Sequence, residues 1–295
     1  MLNILRASLR TGRVTRPYPK ESTQEYPRAK PQIDPSRCDC SGACASNCPS
    51  KAITISRTSS GVRWQLDLAS CVFCGLCEEA CPNGAITMTN VFELAARSRS
   101  DLIVGVTRSQ RAALGMEVPP SQLHDCNLSS DSGHSGSGVD HLGNRIRGLL
   151  RRSLHIRHMA AGSENSCDWE IAHLLNPVYD IQRLGIDFVA SPRHADLLMV
   201  TGAVTRNLEP ALFATYEAMP YPRLVVAVGD EACSGGVLQG SYAVVGGVDR
   251  CLPVDVYIPG DPPRPQALIQ GLLVALDRLE PKVRRVELTV AAARD

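Results

Sequence analysis

Three stretches in the second half of the chain are apolar over strand length: Ala195-Asp196-Leu197-Leu198-Met199-Val200-Thr201, Leu224-Val225-Val226-Ala227-Val228 and Val254-Asp255-Val256-Tyr257-Ile258. The first two lack the polar alternation of a strand with one wet face, which predicts strands covered on both sides. Helical stretches alternate with them around 167–175, 208–218 and 264–279. The last opens on Pro262, Pro263 and Pro265, and proline suits a first helical turn. Alternating strands and helices predict a parallel, doubly wound α/β sheet. Each strand runs into a loop of small residues, at Gly202-Ala203, at Gly229–Gly236 and at Pro259–Pro263. Ligands of such sheets sit at the carboxyl ends of the strands. The three loops are therefore expected to converge with Gly162-Ser163-Glu164-Asn165-Ser166-Cys167 at a helix start.

The first half is patterned differently. Two short apolar stretches, Ala52-Ile53-Thr54-Ile55 and Ala85-Ile86-Thr87-Met88, each follow a cysteine-rich run, an internal repeat that suits two strand-and-helix halves related by pseudo-symmetry. Val91-Phe92-Glu93-Leu94-Ala95-Ala96 reads as a helix and Leu102-Ile103-Val104 as a wrapped segment. Residues 126–145 are rich in Ser and Gly, cannot bury a core, and read as a flexible linker. Cys126 and His134 in or beside it read as an unliganded thiol and a solvated imidazole. The expected division is 1–35 as an N-terminal amphipathic lead-in, 36–98 as the cysteine-rich unit, 99–149 as a connecting segment with the linker, and 150–295 as the α/β domain. Leu2, Leu5 and Leu9 share one helical face, which suits either a surface helix or one docked on a membrane subunit or bilayer.

Composition narrows the class. A chain of 295 residues holds about two domains of ordinary size. Its formal net charge of +1 gives no electrostatic case for nucleic acid. No apolar run reaches the ~18 residues of a membrane span. Twelve cysteines grouped in metal-ligand spacings fit a reducing compartment better than a disulfide scaffold. Gly235-Gly236 and Gly246-Gly247 do not form a dinucleotide fingerprint, so neither NAD nor flavin is expected.

Cys71, Cys74, Cys77 and Cys81, followed by Pro82, form the run C-x₂-C-x₂-C-x₃-C-P, the spacing with which bacterial ferredoxins hold [4Fe–4S] clusters. Zinc knuckles pair two C-x₂-C units and fit it poorly. An upstream run is imperfect: Cys38, Cys44 and Cys48 keep the spacing, Ser41 stands where a cysteine belongs, and Cys40 is one place early. In two-cluster ferredoxins the fourth cysteine of each run crosses to the other cluster. Cluster one then takes Cys71, Cys74, Cys77 and Cys48. Cluster two takes Cys38, Cys44 and Cys81, with Cys40 after a local backbone shift, Ser41 as an alkoxide, or nothing as fourth ligand; Cys40 is favoured because thiolate is the softer ligand.

The second half resembles the small, cluster-bearing subunit shared by energy-converting [NiFe] hydrogenases, formate hydrogenlyase and respiratory complex I. The resemblance rests on Ser191–Asp196, Thr201–Arg206, Ser234-Gly235-Gly236 and Pro253–Pro263. The first half resembles the ferredoxin-like subunit of the same complexes, so the chain looks like a fusion of two subunits that normally touch. The resemblance implies an α+β ferredoxin-like domain with two clusters, followed by a flavodoxin-like α/β domain. It implies an iron–sulfur electron-transfer subunit of a membrane-associated complex, with no bond-making chemistry on this chain. The implied partners are a hydrogenase-like large subunit and membrane subunits, and the implied location is cytoplasmic, peripheral to the inner membrane through those partners.

In the hydrogenase branch of that family four cysteines hold a third, proximal cluster. Here Glu164, Glu231 and Asp261 replace three of them, and Cys167 keeps the fourth. Three readings stay open. The cluster is absent and the acids crowd a polar pocket that holds protons or is merely solvated. Or Cys167, Cys233 and Cys251 recruit a cluster with one carboxylate ligand. Or the carboxylates bind a different, harder metal. The alternative function is then a structural or proton-coupling adaptor in a complex that does not turn over hydrogen. His155, His158, His173 and His194 read as surface or hydrogen-bonded residues, and Trp64 and Trp169 as packing residues.

Overall fold

The computed structural model describes residues 29–58, 61–109, 153–162, 165–277, 280–283 and 286–290, with Arg10, Gly12 and Thr15. The lead-in ahead of residue 29, the linker with Cys126 and His134, and Glu164 lie outside the described residues, these three isolated positions apart.

The first unit runs β1 (Pro31–Ile33), the helical turn α1 (Ala43–Ser46), β2 (Ile53–Thr58), β3 (Gly61–Asp67), the turn α2 (Leu76–Glu79), β4 (Ile86–Met88) and β5 (Ile103–Ser109). β1 pairs antiparallel with β4, setting Ile33 opposite Ile86. β2 and β3 form an antiparallel pair with Ile53 opposite Leu66 and Ile55 opposite Trp64. Trp64 and Leu66 are both buried, as the two-residue period of a strand requires of side chains on one face. The two cysteine loops have matching backbones. Gly42 and Gly75 precede the helical turns at φ 85° and 84°. Two residues earlier, Cys40 and Phe73 stand at φ 59° and 51°. β5 pairs with β3, so this sheet reaches beyond residues 36–98.

The second unit runs β6 (Leu154–Ala160), α3 (Ser166–His173), β7 (Ile186–Phe188), β8 (Leu197–Thr201), β9 (Val204–Thr205), α4 (Glu209–Glu217), β10 (Leu224–Val228), α5 (Gly229–Ser234), β11 (Val244–Gly246), β12 (Val256–Ile258) and α6 (Pro265–Ala275); β13 (Val286–Val290) follows. Among the described residues a five-stranded sheet has the order β12-β10-β8-β6-β7, parallel throughout. The chain starts in β6, turns out to β7, then crosses to β8, β10 and β12, which is the flavodoxin-like order with its switch point between β6 and β8. Beyond that point the backbones of Gly162 and Gly202 touch. A Cβ on Gly162 would stand 2.5 Å from the Ala203 carbonyl oxygen, so no larger residue fits.

Every residue of β8 and β10 is buried. Leu197, Met199, Leu224, Val226 and Val228 face a core with Ile171 of α3 and Leu268 and Leu272 of α6. Leu198, Val200, Val225 and Ala227 face the opposite way, into a core that also holds Leu66, Leu68 and Leu102 of the first unit. The two units thus share one hydrophobic core.

Val91–Ala96, expected as a helix, is extended. Its backbone N–H groups are claimed from outside: Ala95 N donates to Gln270 Oε1 (3.1 Å), and Ala96 and Tyr257 exchange bonds of 3.0 and 2.8 Å. Phe92, Leu94, Ala95 and Ala96 are buried between the units, so the apolar run serves an interface rather than a helix face. Arg97 pairs with Asp277 and donates to the Val274 carbonyl, and Lys282 pairs with Glu93. β13 lies parallel to β5 over Val286–Val290 and closes the edge of the first unit's sheet. Trp169, expected to pack, is instead 68% exposed, because it lies on the solvent side of α3 while Cys167 and Ile171 face the core.

Candidate iron–sulfur sites and a carboxylate pocket

Two hollows flank the cysteine loops. The first is walled by Cys48, Cys71, Cys74 and Cys77, by Ser50, and otherwise mostly by apolar residues, among them Leu66 and Met88. The loop preceding Cys71 is braced by Asp67, which accepts from Arg99 (2.7 Å) and from Ser70 Oγ (2.8 Å). Phe73 N donates to Cys71 Sγ at 3.4 Å. Burial pushes the Cys71 thiol up strongly, and Cys77, Cys48 and Cys74 add to it. The Cys77 thiol is pushed up to about 11, by burial first and then by Cys74.

The second hollow is walled by Cys38 and Cys40 with Ile55, Val62, Trp64 and Val106. The Cys38 thiol is pushed up to about 11, chiefly by burial, with the Cys40 and Cys44 charges adding to it. Cys44 is raised by burial and feels the Cys81 charge, so a chain of electrostatic contacts links all four thiols. Ala85 N donates to Cys81 Sγ at 3.2 Å. Cys40 stands in the loop where Phe73 stands in the other, and Ser41, where Cys74 stands, is exposed.

The donor sets of both hollows fit iron–sulfur clusters. Soft thiols are the ligands such clusters use. Buried thiols that repel one another resist ionising, and a bound metal is what reverses this. The Trp64 indole Nε1 is buried in the second hollow's wall without a hydrogen-bond partner among the described residues, as a donor facing an absent acceptor would be. No three His, Cys, Asp or Glu side chains among the described residues gather tightly enough for a single metal ion.

The carboxyl ends of β8, β10 and β12 hold a different chemistry. Cys167 is buried, and a Cβ on Gly229 would stand 2.7 Å from its Sγ. Glu231 Oε2 accepts from Ala203 N at 3.3 Å. Asp230, which sequence reasoning passed over, is 3% exposed. Its carboxyl is pushed up to about 8, first by burial and then by the charges of Asp261 and Glu231. A charged residue one glycine past the wholly apolar run Leu224–Val228 was the available signal. Alongside, Thr201 Oγ1 donates to Asp168 Oδ1 (2.7 Å), and His158 Nε2 lies 3.1 Å from that hydroxyl and 3.2 Å from that carboxylate. Burial lowers the His158 pKa.

Cys233 and Cys251 have surroundings of their own. The Cys233 thiol is fully buried and donates to the Ala227 carbonyl at 3.6 Å. Cys251 lies near Glu209 and Asp249. This donor set does not fit a [4Fe–4S] cluster: one thiol stands among hard carboxylates that already repel one another, and thiolate-bound iron–sulfide would add negative charge.

Residues 165–275 match the family described as NADH ubiquinone oxidoreductase, 20 Kd subunit, and residues 64–87 match a 4Fe-4S binding domain. Formate hydrogenlyase subunit 7 of Escherichia coli K12 is 42% identical over 134 residues, 45% of this chain and 52% of that protein. The probable membrane-bound hydrogenase subunit mbhJ of Pyrococcus furiosus is 42% identical over 136 residues, 46% of this chain and 81% of that protein. An NADH-quinone oxidoreductase subunit of Citrifermentans bemidjiense is 54% identical over 101 residues, 34% of this chain and 59% of that protein. The chain thus spans about half the length of the first of these and more of the others. With four-fifths of the Pyrococcus subunit covered at this identity, and the parallel sheet and cysteine loops in place, the chain belongs to the family of the 20 Kd subunit of NADH ubiquinone oxidoreductase.

Proposed function

We propose that this protein is an iron–sulfur electron-transfer subunit of a membrane-associated complex related to formate hydrogenlyase, membrane-bound hydrogenase and NADH–quinone oxidoreductase. The observation that carries the reading is the pair of thiol-walled hollows set in matching loops. Cys48, Cys71, Cys74 and Cys77 would hold cluster one, and Cys38, Cys40, Cys44 and Cys81 cluster two. When bound, each cluster takes up and releases single electrons. The chain's own part is to keep the sulfur ligands in place, donate backbone N–H groups to Cys71 and Cys81, and exclude water with apolar walls. Cys40 rather than Ser41 is the fourth ligand of cluster two, because Cys40 walls the hollow and Ser41 is exposed.

The second domain carries no cluster in this reading. Asp230, Glu231 and Asp261 make it a proton-holding and docking element, which supports the adaptor role for that half of the chain. Its partners are a hydrogenase-like large subunit and membrane subunits, and attachment at the cytoplasmic face of the inner membrane runs through them. No helix among the described residues is long and apolar enough to cross a membrane.

Iron and acid-labile sulfide per chain, with EPR of the dithionite-reduced protein, test this. About eight irons are expected, falling by about four in Cys74→Ala and unchanged in Cys167→Ala. No iron–sulfur absorbance after anaerobic reconstitution would sink the electron-transfer reading. A further set of about four irons, lost in Cys167→Ala, would restore a cluster to the second domain.

A further inference from the structure

β3 runs past both hollows. Leu66 lines the first and Trp64, two residues away on the same face, lines the second. Trp64 is held there by its register, opposite Ile55 of β2 and Val106 of β5. It is 4% exposed, and its indole Nε1 has no hydrogen-bond partner among the described residues. Buried N–H groups are almost always paired, so an orphaned one points to an acceptor. The donor lies near the Cys44 thiol. Of the two residues, only the one beside the second hollow can donate a hydrogen bond, because leucine has no polar group.

We infer that Trp64 donates its indole N–H to a sulfur atom of the cluster held by Cys38, Cys40, Cys44 and Cys81, and thereby raises the reduction potential of that cluster. The inference rests on the reading of the second hollow as a cluster site. Reduction adds negative charge to the sulfurs, and a hydrogen bond strengthens as its acceptor becomes more negative. Hydrogen bonds to the sulfurs are among the factors that set cluster potentials. The donor also gives the two clusters different surroundings despite their matching loops, which lets the chain set their potentials apart.

The test uses the full chain. Trp64→Phe keeps an aromatic ring in the wall and removes the donor together with part of the indole's bulk, which is why the ¹⁵N measurement on the wild type stands beside it. In an EPR-monitored redox titration, the ratio of reduced to oxidised cluster two at a fixed potential is expected to fall about tenfold, which is ~59 mV for a one-electron couple. Cluster one is expected to keep its midpoint. In the wild-type protein labelled with ¹⁵N-tryptophan, pulsed EPR of reduced cluster two is expected to show an indole ¹⁵N coupling, a signature that packing alone does not produce and that needs no variant to fold. About eight irons per chain with an unshifted midpoint and no ¹⁵N coupling would overturn the inference while leaving the cluster reading intact. About four irons in the wild type would remove cluster two and the inference with it.

Discussion

Asp230 sits in an environment its type disfavours. Its carboxyl titrates at about 8 in the fold, against an ordinary value of 3.8, because burial and the facing Asp261 and Glu231 all disfavour its charge. Between those two values the folded state holds a proton that the unfolded chain has released. The stability this contributes is complete below about 4 and is lost as pH rises through about 8. Asp230→Asn, a neutral near-isostere, should therefore flatten the pH dependence of stability. Urea unfolding at pH 6 and pH 9 checks this: the wild type should lose more stability than the variant between the two, and equal losses would mean the carboxylate is already charged at pH 6. This residue escaped sequence reading because its burial depends on three loops converging, whereas Glu231 and Asp261 were found from their places in a family pattern. The cysteines were legible because covalent spacing alone brings C-x₂-C-x₂-C thiols into one loop. The placing of Cys40 was harder, since it walls the second hollow from a left-handed backbone at φ 59° that spacing does not announce.

At the scale of elements, β8 and β10 were readable because strands buried on both faces advertise themselves as unbroken apolar runs. β3 and β6 mix Arg, Gln and His with their apolar residues, and passed unread because these half-buried polar residues dilute the run. The segment Val91–Ala96 failed for the opposite reason: its apolar content is real, but tertiary partners take its backbone groups. Two element-level outcomes follow. Leu198→Ala, at a fully buried position of β8, should cost about 2–5 kcal/mol in urea unfolding, and a loss well under 1 kcal/mol would show that the shared core can close over the gap. Removing β13 should speed amide exchange along β5, Val104–Arg108, while leaving β8 and β10 protected. Unchanged exchange on β5 would mean that the pairing adds no protection there.

Across the whole molecule, a fusion of two modules was legible, but the way they are joined was not. The sequence suggested two units that normally touch, joined by a flexible linker, without saying which residues meet. The structure binds them through Arg97 and Asp277, Lys282 and Glu93, Gln270 and Ala95, and a common core. Partners separated by some 180 positions leave no local pattern to read. Arg97 and Asp277 are 20% and 11% exposed, so truncating one leaves the other poorly solvated. Arg97→Ala should cost about 1–3 kcal/mol and loosen the coupling of the two units, so that calorimetry shows two unfolding transitions where the wild type is expected to show one. One transition at the wild-type midpoint would show that the core alone couples the units.

The edge strand β13 belongs by sequence to the end of the chain and by pairing to its beginning. A ribosome releases this protein from the N-terminus, so the cysteine loops emerge long before the strand that seals their sheet. Until translation passes residue 290, the β5 edge stands open to any passing strand, and the surface that buries Leu94 and Ala96 has not been made. A nascent chain stalled inside the second domain therefore presents its cysteine loops on a sheet whose edge is not yet closed.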